Sequence, residues 1–174
     1  PIFMDLPLLR GDEVAHAPHL AVTSSPWPGA AAVFSSPSDS GYVLNTMIDR
    51  QAIIGVSETV LVPGEPAILD RGAAVRVRIS SGDLASVSIE DLMNGANVAA
   101  IGDGSADNWE IIQFAQANLV EENVYDLSMR LRGQAGSDPL AATTWPPGSI
   151  FVLLDGGPAQ IDLSLSARGL ARHY

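Results

Sequence analysis

Nine arginines and no lysine carry every fixed positive side-chain charge of this 174-residue chain, against twenty Asp and Glu residues. Four of the arginines form two pairs: Arg76/Arg78 in AAVRVRIS and Arg130/Arg132 in YDLSMRLRG. Residues two apart in an extended strand point the same way, so each pair sets two guanidinium groups on one face. Guanidinium pairs bidentately with carboxylates and is favoured at protein interfaces. Exposed ion pairs add little stability, so Arg76, Arg78, Arg130 and Arg132 are candidate interface residues on polar strand faces. If the two strands are neighbours, like charges opposite one another destabilise the sheet. Carboxylates such as Asp126 or Glu110 must then intervene.

Other chemistries find less support. The histidines are His16, His19 and His173. Zinc needs at least three convergent ligands, and Pro18 separates the first two, so surface positions are expected. Gly102–Asn108, GDGSADN, has the look of a calcium loop. Counted from Asp103, however, its sixth residue is Asn108 and its twelfth Phe114, where an EF-hand needs Gly and Glu. It reads as an acidic turn. Gly102-x-Gly104 lacks the third glycine and the following helix of a phosphate cradle. There is no Gly-x-Ser-x-Gly elbow, and nothing singles out one carboxylate pair for glycoside hydrolysis. Trp27, Trp109 and Trp145 read as packing residues, with Trp27 and Trp145 the candidate platform if the chain binds glycans. No catalytic, metal or cofactor residue is assigned. Without cysteine there are no disulfides or thiolate metal sites.

The elements that must hold these residues are strands. From Tyr125 to Arg132, Tyr125, Leu127, Met129 and Leu131 alternate with Asp126, Ser128, Arg130 and Arg132, the period of a half-buried strand. Trp109–Ala115 precedes it, with a turn at Glu121-Glu122-Asn123 between them. Ala73–Ser80 alternates Val75, Val77 and Ile79 with its arginines, and Leu84–Ile89 is expected to return as its hairpin partner across Ser81-Gly82-Asp83. Ala30–Ser35 and Tyr42–Ile48 flank a dense turn and predict a second hairpin. Further strands are expected at Pro1–Leu9 as an edge, His19–Ser25, Gln51–Leu61 with Gly55 as a bulge, and Val98–Ile101. Ile150–Leu154 is continuously apolar, as in a strand buried on both faces. Short helical turns fit Glu90–Asn97 and Ser166–Ala171. This density of short strands and turns predicts an all-β antiparallel barrel or sandwich built from hairpins. Residues 62–72, with two prolines and Asp70-Arg71-Gly72, mark where the chain divides if it forms two β subdomains.

Composition agrees. Sixteen glycines and twelve prolines supply turns, and charged residues are only 17% of the chain, below the usual quarter or so. A net charge of -11 excludes holding duplex nucleic acid by phosphate neutralisation. No apolar run reaches the roughly 20 residues of a membrane span. A start at Pro-Ile-Phe reads as a segment of a longer polypeptide.

Three strings resemble a known family. Trp109-Glu110-Ile111-Ile112-Gln113-Phe114, Leu127–Gly136 (LSMRLRGQAG) and Leu92–Asn97 (LMNGAN) are similar to signatures of the tail hub proteins of long-tailed phages and of alphaproteobacterial gene transfer agents. The similarity is to the C-terminal part of the large host-specificity protein that elsewhere carries a glycoside-hydrolase TIM-barrel-like domain. It runs from about Phe3 to His173, with Met129 and Gln134 standing where Leu and often Arg are expected. The resemblance implies a non-catalytic β-rich module of the distal tail, homotrimeric in the assembled particle. Such a module joins the tail tube to the host-recognition or cell-wall-penetrating apparatus, in a particle made in the bacterial cytoplasm and acting at the host surface. The implied partners are other tail proteins and other domains of the same chain. DNA would pass nearby without specific binding, and an acidic wall would repel it. The alternatives are a carbohydrate-binding module for surface attachment and a cell-wall hydrolase fragment.

Overall fold

The computed structural model describes residues 1–174. In chain order its strands are β1 (Ile2–Met4), β2 (His19–Ala21), β3 (Ala31–Ser35), β4 (Val43–Ile48), β5 (Ile54–Ser57), β6 (Leu69–Asp70), β7 (Val75–Ile79), β8 (Val98–Gly102), β9 (Trp109–Glu121), β10 (Val124–Gln134), β11 (Ile150–Leu153) and β12 (Ala159–Gln160). One short helix, α1 (Ile89–Met93), precedes β8. No helix is long and apolar enough to cross a membrane.

Six strands close into an antiparallel barrel in the order β7-β5-β11-β8-β9-β10, with β10 returning to β7; β6 pairs with the far half of β10. The fold is all-β, as expected, and its main sheet is a barrel. Closure removes the exposed edges an open sheet would present. The barrel is filled by Val75, Val77, Ile79, Ile101, Phe114, Leu127 and Phe151, among others. The Phe114 and Phe151 rings lie 6.3 Å apart between centroids and tilted. Burying each such ring contributes roughly 1.5–3 kcal/mol. β11 is central, between β5 and β8. Phe151 faces the interior cluster and Val152 an outer one, which accounts for its unbroken apolar sequence. At Gly55, a Cβ would lie 2.5 Å from the Arg78 carbonyl oxygen; the residue expected to form a bulge instead permits close strand approach.

The outer cluster joins the remaining layer to the barrel. Met4, Leu6 and Ala21 pack on Ala100, Trp109, Ile111 and Val152. This layer is a three-stranded sheet, β1-β2-β12, with a separate ribbon of β3 and β4. The ribbon is the hairpin expected from sequence, and its inner residues Ala31, Val33 and Ile48 pack with Leu20 and Ile161.

One sequence expectation fails and another is displaced. Leu84–Ile89 is not a strand and does not pair with β7, because β5 and β10 occupy both edges of β7. The segment instead runs beside β9: Val87 N–H donates to the Ala115 carbonyl at 2.8 Å, and Leu84 enters the core. Near the C terminus, regular pairing is limited to β12, and the helical turn is a three-residue 3-10 turn at Leu165–Ala167.

Candidate functional site

The two arginine pairs take opposite positions. Arg76 and Arg78 lie on the outer face of β7. Arg76 Nε donates to Asp126 Oδ1 at 2.8 Å, and Arg78 Nε donates to Glu58 Oε1 at 2.6 Å. Both arginines remain more than a third exposed. The Arg76 hydrogen bond, against a smaller effect of burial, holds the Asp126 carboxyl below the ordinary aspartate range. Asp126 is a carboxylate the sequence placed between the pairs, and it stands directly across from Arg76.

Arg130 and Arg132 are not on a solvent face: both are fully buried. The cause is Met129, whose φ of 55° lies in the left-handed region. That residue breaks the alternation of β10. Tyr125 and Leu127 belong to the barrel core, whereas Met129 and Leu131 pack in a small outer cluster with Leu92 and Ala115. The arginines therefore turn inward, and Arg130 stands opposite the core residue Phe114. On the facing strand, Glu110 shares the parity of Ile112 and Phe114 and points the same way.

A charged network fills this end of the barrel. Arg132 donates to both oxygens of Glu110, Nε to Oε1 at 2.7 Å and Nη2 to Oε2 at 2.8 Å. Glu110 also accepts from the Gly133 N–H at 3.1 Å and the Trp145 indole N–H at 2.7 Å. Nη1 of Arg132 donates to the Val62 carbonyl at 2.7 Å. Arg130 Nη2 and Nε donate to Asp70 Oδ2 at 2.7 and 3.0 Å, and its Nη1 donates to the Leu127 carbonyl at 2.8 Å. Burial pushes the Asp70 carboxyl up, but the Gly72 N–H and the Arg130 and Arg132 guanidinium groups outweigh it and hold the carboxyl below its ordinary value. Asp70 and Val62 come from the 62–72 segment, and Trp145 from the turn-rich stretch after β10. The network thus ties both connections to the barrel; Leu61 and Trp145 also exchange backbone hydrogen bonds at 2.9 Å. Gly133, at φ 59°, allows the chain to turn away where a Cβ would lie 2.8 Å from Asp138 Cα.

This overturns Trp145 as a glycan platform, since its ring is buried and its N–H is committed to Glu110. Trp27 is half-buried against the outer layer. His19, expected at the surface, is buried in β2 with Nε2 3.1 Å from Glu13 Oε1. The acidic turn at Asp103 is a local one. Its carboxylate accepts from Ser105 and Asn108, which bring its pKa down to about 2.

Two features face outward. One is a cavity of about 480 Å³ between the N-terminal segment and the outer face of β9, whose lining includes Asn94, Gln113 and Gln134. Gln113 Nε2 donates to the Leu92 and Ala96 carbonyls, each at 2.8 Å, and so pins the end of α1. The other is the outer face of the β3–β4 ribbon. Ala32 pairs with Met47 and Phe34 with Leu44, and Phe34, Val43, Leu44 and Met47 are all exposed. Only Asp39 carries a carboxylate or guanidinium charge between Val14 and Ile48. Sequence reasoning missed Asp70 and the inward role of Glu110. The available signal was a charged and an amide residue, Glu110 and Gln113, within an otherwise apolar strand, since buried polar groups require partners.

Residues 52–152 match the family model described as Rcc01698-like, C-terminal. The chain belongs to this family. No curated protein matches it. The matched span of the Rcc01698-like C-terminal family runs from just before β5 to β11, so it contains the barrel, the charged network and α1. The β1-β2-β12 sheet and the β3–β4 ribbon lie outside it.

Proposed function

We propose that this chain is a non-catalytic structural and interaction module of the distal tail hub of a phage or gene transfer agent, linking the tail tube to the host-recognition or cell-wall-penetrating apparatus. The observation that carries this reading is the β3–β4 ribbon. An isolated two-stranded hairpin is marginal in water, and this one has apolar side chains on both faces. Its inner face is covered by the outer layer. The exposed Phe34, Leu44 and Met47 suit it to packing against another protein. Membership of the Rcc01698-like C-terminal family and the three signature strings support the tail assignment. In the assembled particle the module is a homotrimer with tail-tube proteins as neighbours.

Immunogold labelling of particles from the producing bacterium tests the assignment, with antibody raised against this chain. Label at the distal tail tip is expected. A Phe34→Ser/Leu44→Ser variant should stay folded, because both side chains are exposed, yet enter particles several-fold less. Particles lacking the chain, or label confined to the capsid, would refute the assignment.

A further inference from the structure

The cavity beside β9 carries two amide side chains that are fixed on one side and open on the other. Gln113 is buried, and both hydrogens of its amide nitrogen are committed to the Leu92 and Ala96 carbonyls. Those acceptors settle which end of the amide is which. Its Oε1 therefore faces away, takes no hydrogen bond from the protein and opens to the cavity. Gln134 is held by one bond: its Nε2 donates to the Arg132 carbonyl at 2.8 Å, and its Oε1 has no protein partner. An acceptor held in place without a donor is a site for an N–H or O–H from a ligand.

The remaining lining narrows the ligand. Leu9, Val98, Ile111 and Leu154 supply an aliphatic floor, with Leu8 at the side. No aromatic ring lines the cavity, so it lacks the stacking surface on which a sugar ring would settle. Arg10 and Asp155 both line it and form no ion pair with each other or with any other group. An anion or a cation would meet a like charge, whereas a neutral group with both donors and acceptors meets two complementary ones. The volume lies within the range of roughly 300–1,000 Å³ usual for ligand sites.

We propose that this cavity binds an uncharged, extended peptide segment, its N–H groups donating to Gln113 Oε1 and Gln134 Oε1 and an aliphatic side chain resting on the leucine-rich floor. The inference is independent of the tail-hub reading, because it concerns the cavity's chemistry and not the particle.

The test is a nuclear magnetic resonance titration of the 15N-labelled chain with acetyl-Ala-Leu-Ala-amide, with N-acetylglucosamine as the competing chemistry. Saturable shifts of the Gln113 and Gln134 side-chain amides by the tripeptide, and none by the sugar, are expected. Leu8→Trp fills the cavity from an exposed position and should weaken binding by about tenfold or more. Gln134→Ala removes one acceptor and should weaken it by about three- to tenfold while the backbone spectrum stays that of the parent. The proposal is overturned if the tripeptide gives no saturable shift. It is equally overturned if the sugar binds in its place, or if both folded variants bind the tripeptide as the parent does.

Discussion

Arg76/Arg78 and Arg130/Arg132 share their spacing, their apolar neighbours and a place in adjacent strands, yet one pair is wet and the other dry. β7 is regular, so its arginines alternate outward and pair with carboxylates that keep contact with water. β10 is broken at Met129, and its arginines enter the barrel with Glu110 and Asp70. The difference teaches that a pair's spacing shows only that its members point together. Which way they point depends on every residue between them and the core holding strand geometry. It also separates two energetic regimes, since a buried ion pair matters mainly through what is left behind when one partner goes.

The largest effect is expected from Glu110→Ala. It leaves Arg132 buried and unpaired and should cost about 3–5 kcal/mol in urea unfolding. Adding Arg132→Met in the same chain should recover more than half of that loss, because no buried charge is then orphaned; a single-mutant cost below about 1 kcal/mol would show the network to be solvated. Trp145→Phe keeps a buried aromatic ring but removes the indole hydrogen bond to Glu110 and part of the packing around it. A loss of about 1–3 kcal/mol should follow, visible as a lowered melting temperature. Met129→Ile places a β-branched residue at a left-handed φ, with an expected cost of about 1–2 kcal/mol. If Met129→Ile is neutral, the break in β10 lies elsewhere.

Acid should reveal the Asp70–Arg130 pair. A carboxyl whose folded pKa is depressed contributes stability that is fully present above its unfolded value and lost as pH falls through the folded one. Stability should therefore decline below about pH 4, and the decline should be shallower in an Arg130→Met/Asp70→Asn chain. A pH profile unchanged by that double substitution would count against the pair. The smallest effect belongs to the outer pair: Arg76→Ala should lower the urea midpoint far less than Glu110→Ala, and less still at high salt. An Arg76 loss comparable to that of Glu110 would erase the contrast between the regions.

Much of the fold is legible in the residues alone. The β3–β4 hairpin, the β9–β10 pair with its turn, the doubly buried β11 and the helical turn at α1 each follow from local periodicity and turn residues. Even the intervening carboxylates, Asp126 and Glu110, are nameable from the requirement that adjacent like charges be separated. The fate of Leu84–Ile89 is not recoverable in this way. Its alternation is real, but both edges of β7 are taken by residues distant in sequence. The cavity is equally hidden, because its lining comes from the N-terminal segment, the end of α1, β9 and the turn after β10.

The sequence by itself determined the class: short alternating segments and frequent turns can bury their apolar faces only as packed or closed sheets. It also determined that the members of each arginine pair point together, since residues two apart in a strand share a face. Only the tertiary structure decided which pair meets water. That choice turned on one left-handed residue and on barrel closure, and both depend on contacts between strands that local periodicity cannot encode.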